Sequence, residues 1–251
     1  MPRFVTVSVC LVLALVACDR APTEPGPVAS GPPGSSLGNE ASPGSMPASP
    51  APTTKPMFEG GVSRIDPELR EILIGRNWTP GCPVPLGDLR LVQVSYWNFQ
   101  GEIRRGPLIL HERVAADVLW VFERLFRARF PIREIKLAAK DRPRRPEDYW
   151  DRTRRSVTAS FNCRPATDSI TLSEHSYGWA IDINPLQNPY VRGDGTVLRA
   201  IALPFRDRSM DQKGMIHEGD IVVRSFERIG WEWGGHWHTL KDYMHFSLTG
   251  R

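Results

Sequence analysis

The chain has 251 residues, of which 41% are hydrophobic and 24% are charged, and its formal net charge is +4. This composition excludes a fully disordered protein, because the chain has enough hydrophobic residues to bury a core. The length leaves room for one mid-sized catalytic domain plus extra segments. The mildly basic balance suits an anionic neighbour but does not distinguish nucleic acid, cell-wall polymers and lipid head groups.

The N-terminus predicts export. Arg3 is followed by an apolar run, Phe4 to Ala17, which is too short to span a bilayer as a mature helix. The run ends in Leu15-Val16-Ala17-Cys18, which resembles a lipobox with Cys18 as the lipidated residue. We therefore predict a lipoprotein signal peptide over 1–17 and an extracytoplasmic, membrane-anchored protein of the cell envelope. The alternative is an ordinary signal peptide with an incidental cysteine.

A linker is predicted next, over residues 18–56. From Asp19 to Lys55 the sequence is almost entirely Pro, Gly, Ser, Ala and Thr, so it cannot bury a core. As a flexible coil these residues span about 35 Å, and as extended polyproline II about 115 Å. The folded domain is predicted over 57–251.

Two cysteines remain for that domain once Cys10 leaves with the signal peptide and Cys18 carries lipid. In an oxidising compartment an even pair predicts a disulfide between Cys82 and Cys163. The alternative is two free buried thiols.

The domain is predicted to be α+β, with a mainly antiparallel sheet and helices packed on it, because strands and helices alternate irregularly. Gly101 is expected to turn one hairpin, Pro131 to end the clearest helix and Asp220 to cap the last one. The predicted elements are strands at Leu89–Phe99, Glu102–Leu110, Arg133–Ala139, Trp179–Asn184 and Tyr243–Leu248, and helices at His111–Arg129 and Asp220–Ile229.

Three residues have the chemistry of a metal site. Alternation along the strand at Trp179–Asn184 turns Asp182 away from Ile181 and Ile183, and the last strand turns His245 away from Met244, Phe246 and Leu248. His175 lies on the loop that enters the first of these strands. Two histidines and one carboxylate form the three-ligand set of a catalytic Zn²⁺ site, with a fourth position for water.

Three segments resemble the zinc D-alanyl-D-alanine carboxypeptidase and L-alanyl-D-glutamate endopeptidase family. They are Ser173-Glu174-His175-Ser176-Tyr177-Gly178-Trp179-Ala180-Ile181-Asp182, Trp231-Glu232-Trp233-Gly234-Gly235-His236-Trp237 and Asp242-Tyr243-Met244-His245-Phe246. The resemblance implies the Hedgehog/D,D-peptidase fold, Zn²⁺ held by His175, Asp182 and His245, and Asp242 as general base. It also implies that Arg164 contacts substrate, although Asn162-Cys163 departs from the family pattern there.

The implied activity is hydrolysis of peptidoglycan stem peptides by a monomer, with D-alanyl-D-alanine carboxypeptidase action favoured. An L-alanyl-D-glutamate endopeptidase and a non-catalytic zinc or wall-binding module remain as alternatives. Trp231, Trp233 and Trp237 are expected either to line a peptide groove or to pack in the core. No nucleic-acid partner is expected, because the basic clusters at 142–145 and 152–155 lack interleaved aromatic residues.

Overall fold

The computed structural model describes residues 56–137 and 154–250. Cys18, the signal peptide, nearly all of the linker and the basic cluster at 142–145 lie outside the described residues. The boundaries predicted for these segments therefore stay predictions. No helix in the described part of the chain is long and apolar enough to cross a bilayer.

The first half of the domain is a three-stranded antiparallel sheet covered by a helix. Strands β1 (Gly60–Arg64), β2 (Leu89–Trp97) and β3 (Ile103–His111) pair in the order β1-β2-β3, and Gly101 turns the β2–β3 hairpin with a φ of 77°. The amphipathic helix α2 (Glu112–Arg127) follows directly, and its N-terminus is capped by the His111 side chain. Its apolar stripe, which includes Val118, Val121 and Phe122, is completely buried in the main core.

A short helix, α1 (Pro67–Leu73), precedes this hairpin and packs into a second, smaller core. Asp66 caps its N-terminus by accepting a hydrogen bond from the Leu69 amide at 2.7 Å. The predicted disulfide between Cys82 and Cys163 is present, and it joins the loop after α1 to the segment that precedes the metal motif.

Three smaller sheets follow in the described part of the domain. Strands β6 (Ala180–Asp182), β10 (His245–Ser247) and β8 (Glu232–Trp233) form an antiparallel sheet in the order β6-β10-β8. The helix α3 (Ile221–Arg228), capped by Asp220 as predicted, packs on this sheet, with the Phe226 and Phe246 rings stacked at 4.3 Å. Strand β4 (Glu134–Ile135) pairs in parallel with β5 (Val157–Thr158). Strand β7 (Tyr190–Val191) pairs antiparallel with β9 (Lys241–Asp242).

The α+β class is confirmed, but the single sheet expected from the sequence is divided into four small ones within residues 56–137 and 154–250. The last strand is shorter than the predicted Tyr243–Leu248, since only His245–Ser247 pair. Phe246 is buried in the core as expected. Met244 is not on that face, because it lies before β10 and lines the cleft described below.

Candidate metal centre

Strand pairing brings the predicted metal ligands together. His245 on β10 lies directly opposite Asp182 on β6, so their side chains emerge on the same face of the sheet. His175 sits in a 3₁₀ turn, Glu174–Tyr177, that leads into β6. Gly178 ends this turn with a φ of 70°, and a Cβ there would lie 2.7 Å from the His111 backbone nitrogen. Glycine therefore lets the His175 turn pack against the start of α2.

The two histidine side chains converge on one carboxylate oxygen of Asp182. Asp182 Oδ1 is 3.2 Å from His175 Nε2 and 3.1 Å from His245 Nδ1. One ligand atom from each of the three residues lies within 4.8 Å of the other two. Metal–ligand distances of about 2.0–2.1 Å in a tetrahedral site place neighbouring ligand atoms about 3.3 Å apart. The spacing of the three side chains therefore fits a zinc-sized ion.

Hydrogen bonding also prepares His175 for a metal. Its Nδ1 donates to the Ser160 carbonyl at 2.7 Å, which leaves the lone pair on Nε2 facing Asp182. That buried Nε2 makes no hydrogen bond to any described residue. Burial lowers the pKa of His175, which favours the neutral imidazole that metals require.

Asp182 is held as a carboxylate. Burial opposes its ionisation, but the nearby charges of His175 and His245, together with the hydrogen bond from His245 Nδ1, outweigh burial and hold its pKa well below the usual range. Its side chain keeps 23% of its exposure, so the centre opens to the cleft on this side. A buried neutral imidazole, a second imidazole and a fixed carboxylate form a donor set that could hold Zn²⁺.

A second carboxylate, Asp242, lies beside this set without being one of the three converging residues. It ends strand β9, and Gly234 packs closely against it: a Cβ on Gly234 would lie 2.5 Å from the Asp242 carbonyl oxygen. Burial, followed by the charge of Asp182, raises the pKa of Asp242 to about 7. Its Oδ1 is buried and has no hydrogen-bond partner in the described part of the chain. Such a carboxyl is suited to exchanging a proton near neutral pH.

The Arg164 segment is anchored next to the His175 turn. The Arg164 amide donates to Ser176 Oγ at 2.9 Å, and the Ser176 hydroxyl donates to the Arg164 carbonyl at 2.9 Å. The disulfide at Cys163 fixes the preceding residue. The charge of Arg164 contributes to the lowered pKa of His175, so the guanidinium lies within electrostatic range of the centre. The structure thus brings Arg164 to the site despite the unusual Asn162-Cys163 preceding it.

Four of these side chains face one cleft of about 200 Å³. It is lined by His175, Asp182, Asp242 and Arg164, together with residues that sequence reasoning missed, notably Tyr190, Arg199 and Met244. The only sequence feature that indicates a strand at Tyr190 is the apolar pair Tyr190-Val191 after Pro189. This pair does not identify the strand with which it would pair. The cleft is smaller than the roughly 300–1,000 Å³ typical of sites for drug-sized ligands.

Two tryptophans of the second motif, Trp231 and Trp233, pack in the core rather than form a groove. Trp231 and Trp233 are 2% and 4% exposed. The Trp237 ring is half-buried and lies 5.5 Å from the His245 ring. None of the three lines the cleft. Their role is to hold β8 and β10 in place.

Comparison with known protein families gives one match. Residues 167–248, about a third of the chain, match a family described as D-alanyl-D-alanine carboxypeptidase. The match includes His175, Asp182, Asp242 and His245, and it confirms the resemblance seen in the sequence motifs. Arg164 lies outside it. No curated protein and no solved structure matches the chain significantly.

Proposed function

We propose that the chain is a zinc-dependent peptidase that removes the terminal D-alanine from peptidoglycan stem peptides, because residues 167–248 match a family described as D-alanyl-D-alanine carboxypeptidase. One observation carries the proposal. The cleft combines a three-residue metal donor set with a separate carboxyl, Asp242, whose pKa is raised to about 7. A structural metal site has no need of such a neighbouring carboxyl, whereas peptide hydrolysis needs a base beside the metal.

The residues divide the chemistry among them. Zinc, held by His175, Asp182 and His245, would supply Lewis-acid activation of water and of the scissile carbonyl. Asp242 accepts the proton of the attacking water and passes it to the nitrogen of the leaving amine. The Ser160 carbonyl, by accepting from Nδ1, keeps His175 in the tautomer whose Nε2 faces the centre.

Arg164 favours cleavage at a chain end. Arg164 lines the cleft, where one nitrogen of its guanidinium donates to the Pro165 carbonyl at 2.9 Å. The guanidinium fork can pair with a terminal carboxylate through its other N–H groups. The small volume of the cleft also suits residues with side chains as short as alanine. Both features agree with a substrate that ends in D-alanyl-D-alanine.

An L-alanyl-D-glutamate endopeptidase is the second candidate, and one observation favours it. A second arginine, Arg199, lines the same cleft. Two cations can accommodate two carboxylates, and an internal D-glutamate offers a carboxylate that a D-alanyl-D-alanine end lacks at that position. The carboxypeptidase would therefore need Arg164 for its substrate, and the endopeptidase would also need Arg199.

Incubation of purified stem pentapeptides with the protein, followed by mass spectrometry of the products, tests the proposal. We expect loss of one terminal alanine, and no cleavage after chelation of the metal or in His175→Ala. An internal cut between alanine and glutamate supports the second candidate instead. A protein that holds zinc but cleaves neither bond is the non-catalytic binding module, and that result refutes the enzyme.

We further propose that the domain acts as a monomer tethered to the outside of a membrane through lipid on Cys18. The support is the lipobox-like Leu15-Val16-Ala17-Cys18 and the long Pro/Gly/Ser-rich segment that follows. Cys18→Ser should move the protein from the membrane fraction to the soluble fraction after cell lysis. Unchanged fractionation would refute lipid anchoring.

A further inference from the structure

Tyr190 faces the candidate base across a strand pair. Strands β7 and β9 are antiparallel, and Tyr190 lies directly opposite Asp242 in their register. Directly opposite residues project to the same side of a sheet, with their Cβ atoms about 5 Å apart. Both side chains line the cleft that contains His175 and Asp182. The strand pairing therefore places the phenol beside the base and on the same side of it as the metal donor set.

The Tyr190 hydroxyl is available to a molecule in the cleft. The residue is 9% exposed, so its ring is almost entirely packed against the protein. Buried tyrosine hydroxyls usually find a hydrogen-bond partner. Nevertheless, no described residue forms a hydrogen bond with the Tyr190 hydroxyl, whose atom is not sealed away from the cleft. The Tyr190 ring is thus held by packing, while its hydroxyl has no hydrogen-bond partner among the described residues.

The phenol also stays in the form that donates. Burial, and then the charges of Asp242 and Asp168, raise the pKa of Tyr190 above its usual value. At neutral pH the group is therefore a neutral O–H donor. A neutral donor avoids repelling a substrate oxygen that becomes negative during the reaction.

We propose that the Tyr190 hydroxyl donates a hydrogen bond to the oxygen of the scissile carbonyl and stabilises the negative charge that develops on it. This inference rests on the proposed peptidase function. When water attacks, a C–O bond forms, the carbonyl π electrons move onto the oxygen, and the proton of the water passes to Asp242. When the C–N bond then breaks, those electrons return and the proton goes to the amine nitrogen. Tyr190 keeps its own proton throughout.

The test is Tyr190→Phe, which removes the hydroxyl and keeps the packed ring, so zinc content and melting temperature should match those of the parent. Loss of one oxyanion donor lowers kcat by about 10²-fold, and KM should stay nearly constant because the contact strengthens only in the transition state. A second readout is calorimetric binding of a phosphinate analogue of alanyl-alanine, whose tetrahedral oxygens imitate the transition state. Its affinity should fall by a similar factor.

The matched control is Tyr243→Phe. Tyr243 adjoins Asp242 in sequence, but its ring packs against the Arg208 guanidinium at 4.5 Å and it does not line the cleft. We expect parental kinetics for this variant. Parental kcat in Tyr190→Phe, or a change confined to KM, overturns the inference while the peptidase function stands. A parent that cleaves no wall peptide refutes the function, and the inference falls with it.

Discussion

Replacing Gly234 with alanine should displace Asp242 without touching a metal ligand. The Cβ added at Gly234 would lie 2.5 Å from the Asp242 carbonyl oxygen and 3.0 Å from the Asp242 Cβ. Ordinary contact begins near 3.4 Å, so β9 must move by about 0.9 Å to relieve the closer approach. A misplacement of about 1 Å in a catalytic group can cost about 10²-fold in rate. We therefore expect kcat/KM to fall by about that factor.

The assay combines peptide hydrolysis with zinc analysis. Gly234→Ala should retain its zinc, because His175, Asp182 and His245 lie on other segments. The matched control is Gly87→Ala, since a Cβ at Gly87 meets no atom within 4 Å and should change neither quantity. Parental kcat/KM in Gly234→Ala would refute the view that this glycine positions the base. Loss of zinc would instead show that Asp242 and the metal set move together.

Three further predictions concern the charged groups of the cleft. Asp242→Asn should keep zinc and reduce hydrolysis by about 10²–10⁴-fold, because the amide cannot accept a proton; loss of zinc would make Asp242 a ligand. In the metal-free protein, folding raises the pKa of Asp242 from 3.8 to about 7. The contribution of Asp242 to the free energy of unfolding is therefore complete below about pH 4 and is lost as the pH rises through about 7. The melting temperature of Asp242→Asn relative to the parent should therefore increase with pH, and a constant difference would contradict the raised pKa. Arg164→Lys keeps the charge but loses the planar fork, so KM should rise with zinc unchanged; an unaltered KM would remove Arg164 from substrate binding.

Much of the centre could be predicted from local pattern. Alternation along two short apolar strands was enough to turn Asp182 and His245 away from the core, because side-chain direction in a strand has a period of two. The structure places both residues opposite each other in register. Asp220 as a helix cap and Gly101 as a hairpin turn also depend on neighbouring residues only, and both were predicted correctly.

What sequence reasoning missed depends on contacts between distant segments. The β7–β9 pair has two residues per strand, too few for a recognisable alternation, and it joins segments about 50 residues apart. Tyr190 could not be assigned to the site without that pairing. The hydrogen bond from His175 to the Ser160 carbonyl likewise involves a backbone atom that carries no sequence signal. Alternation along the last strand predicts Met244 on the same face as Phe246, but β10 begins only at His245, so the alternation does not apply to Met244.

The most direct test of the metal centre is elemental analysis of the purified domain and of three ligand variants. We expect about one zinc per parent chain and loss of that zinc in His175→Ala, Asp182→Ala and His245→Ala. The control is His236→Ala, because His236 is exposed and pairs with Glu218 outside the cleft; it should retain its zinc. Stoichiometric zinc in all three ligand variants would show that these residues do not hold the metal.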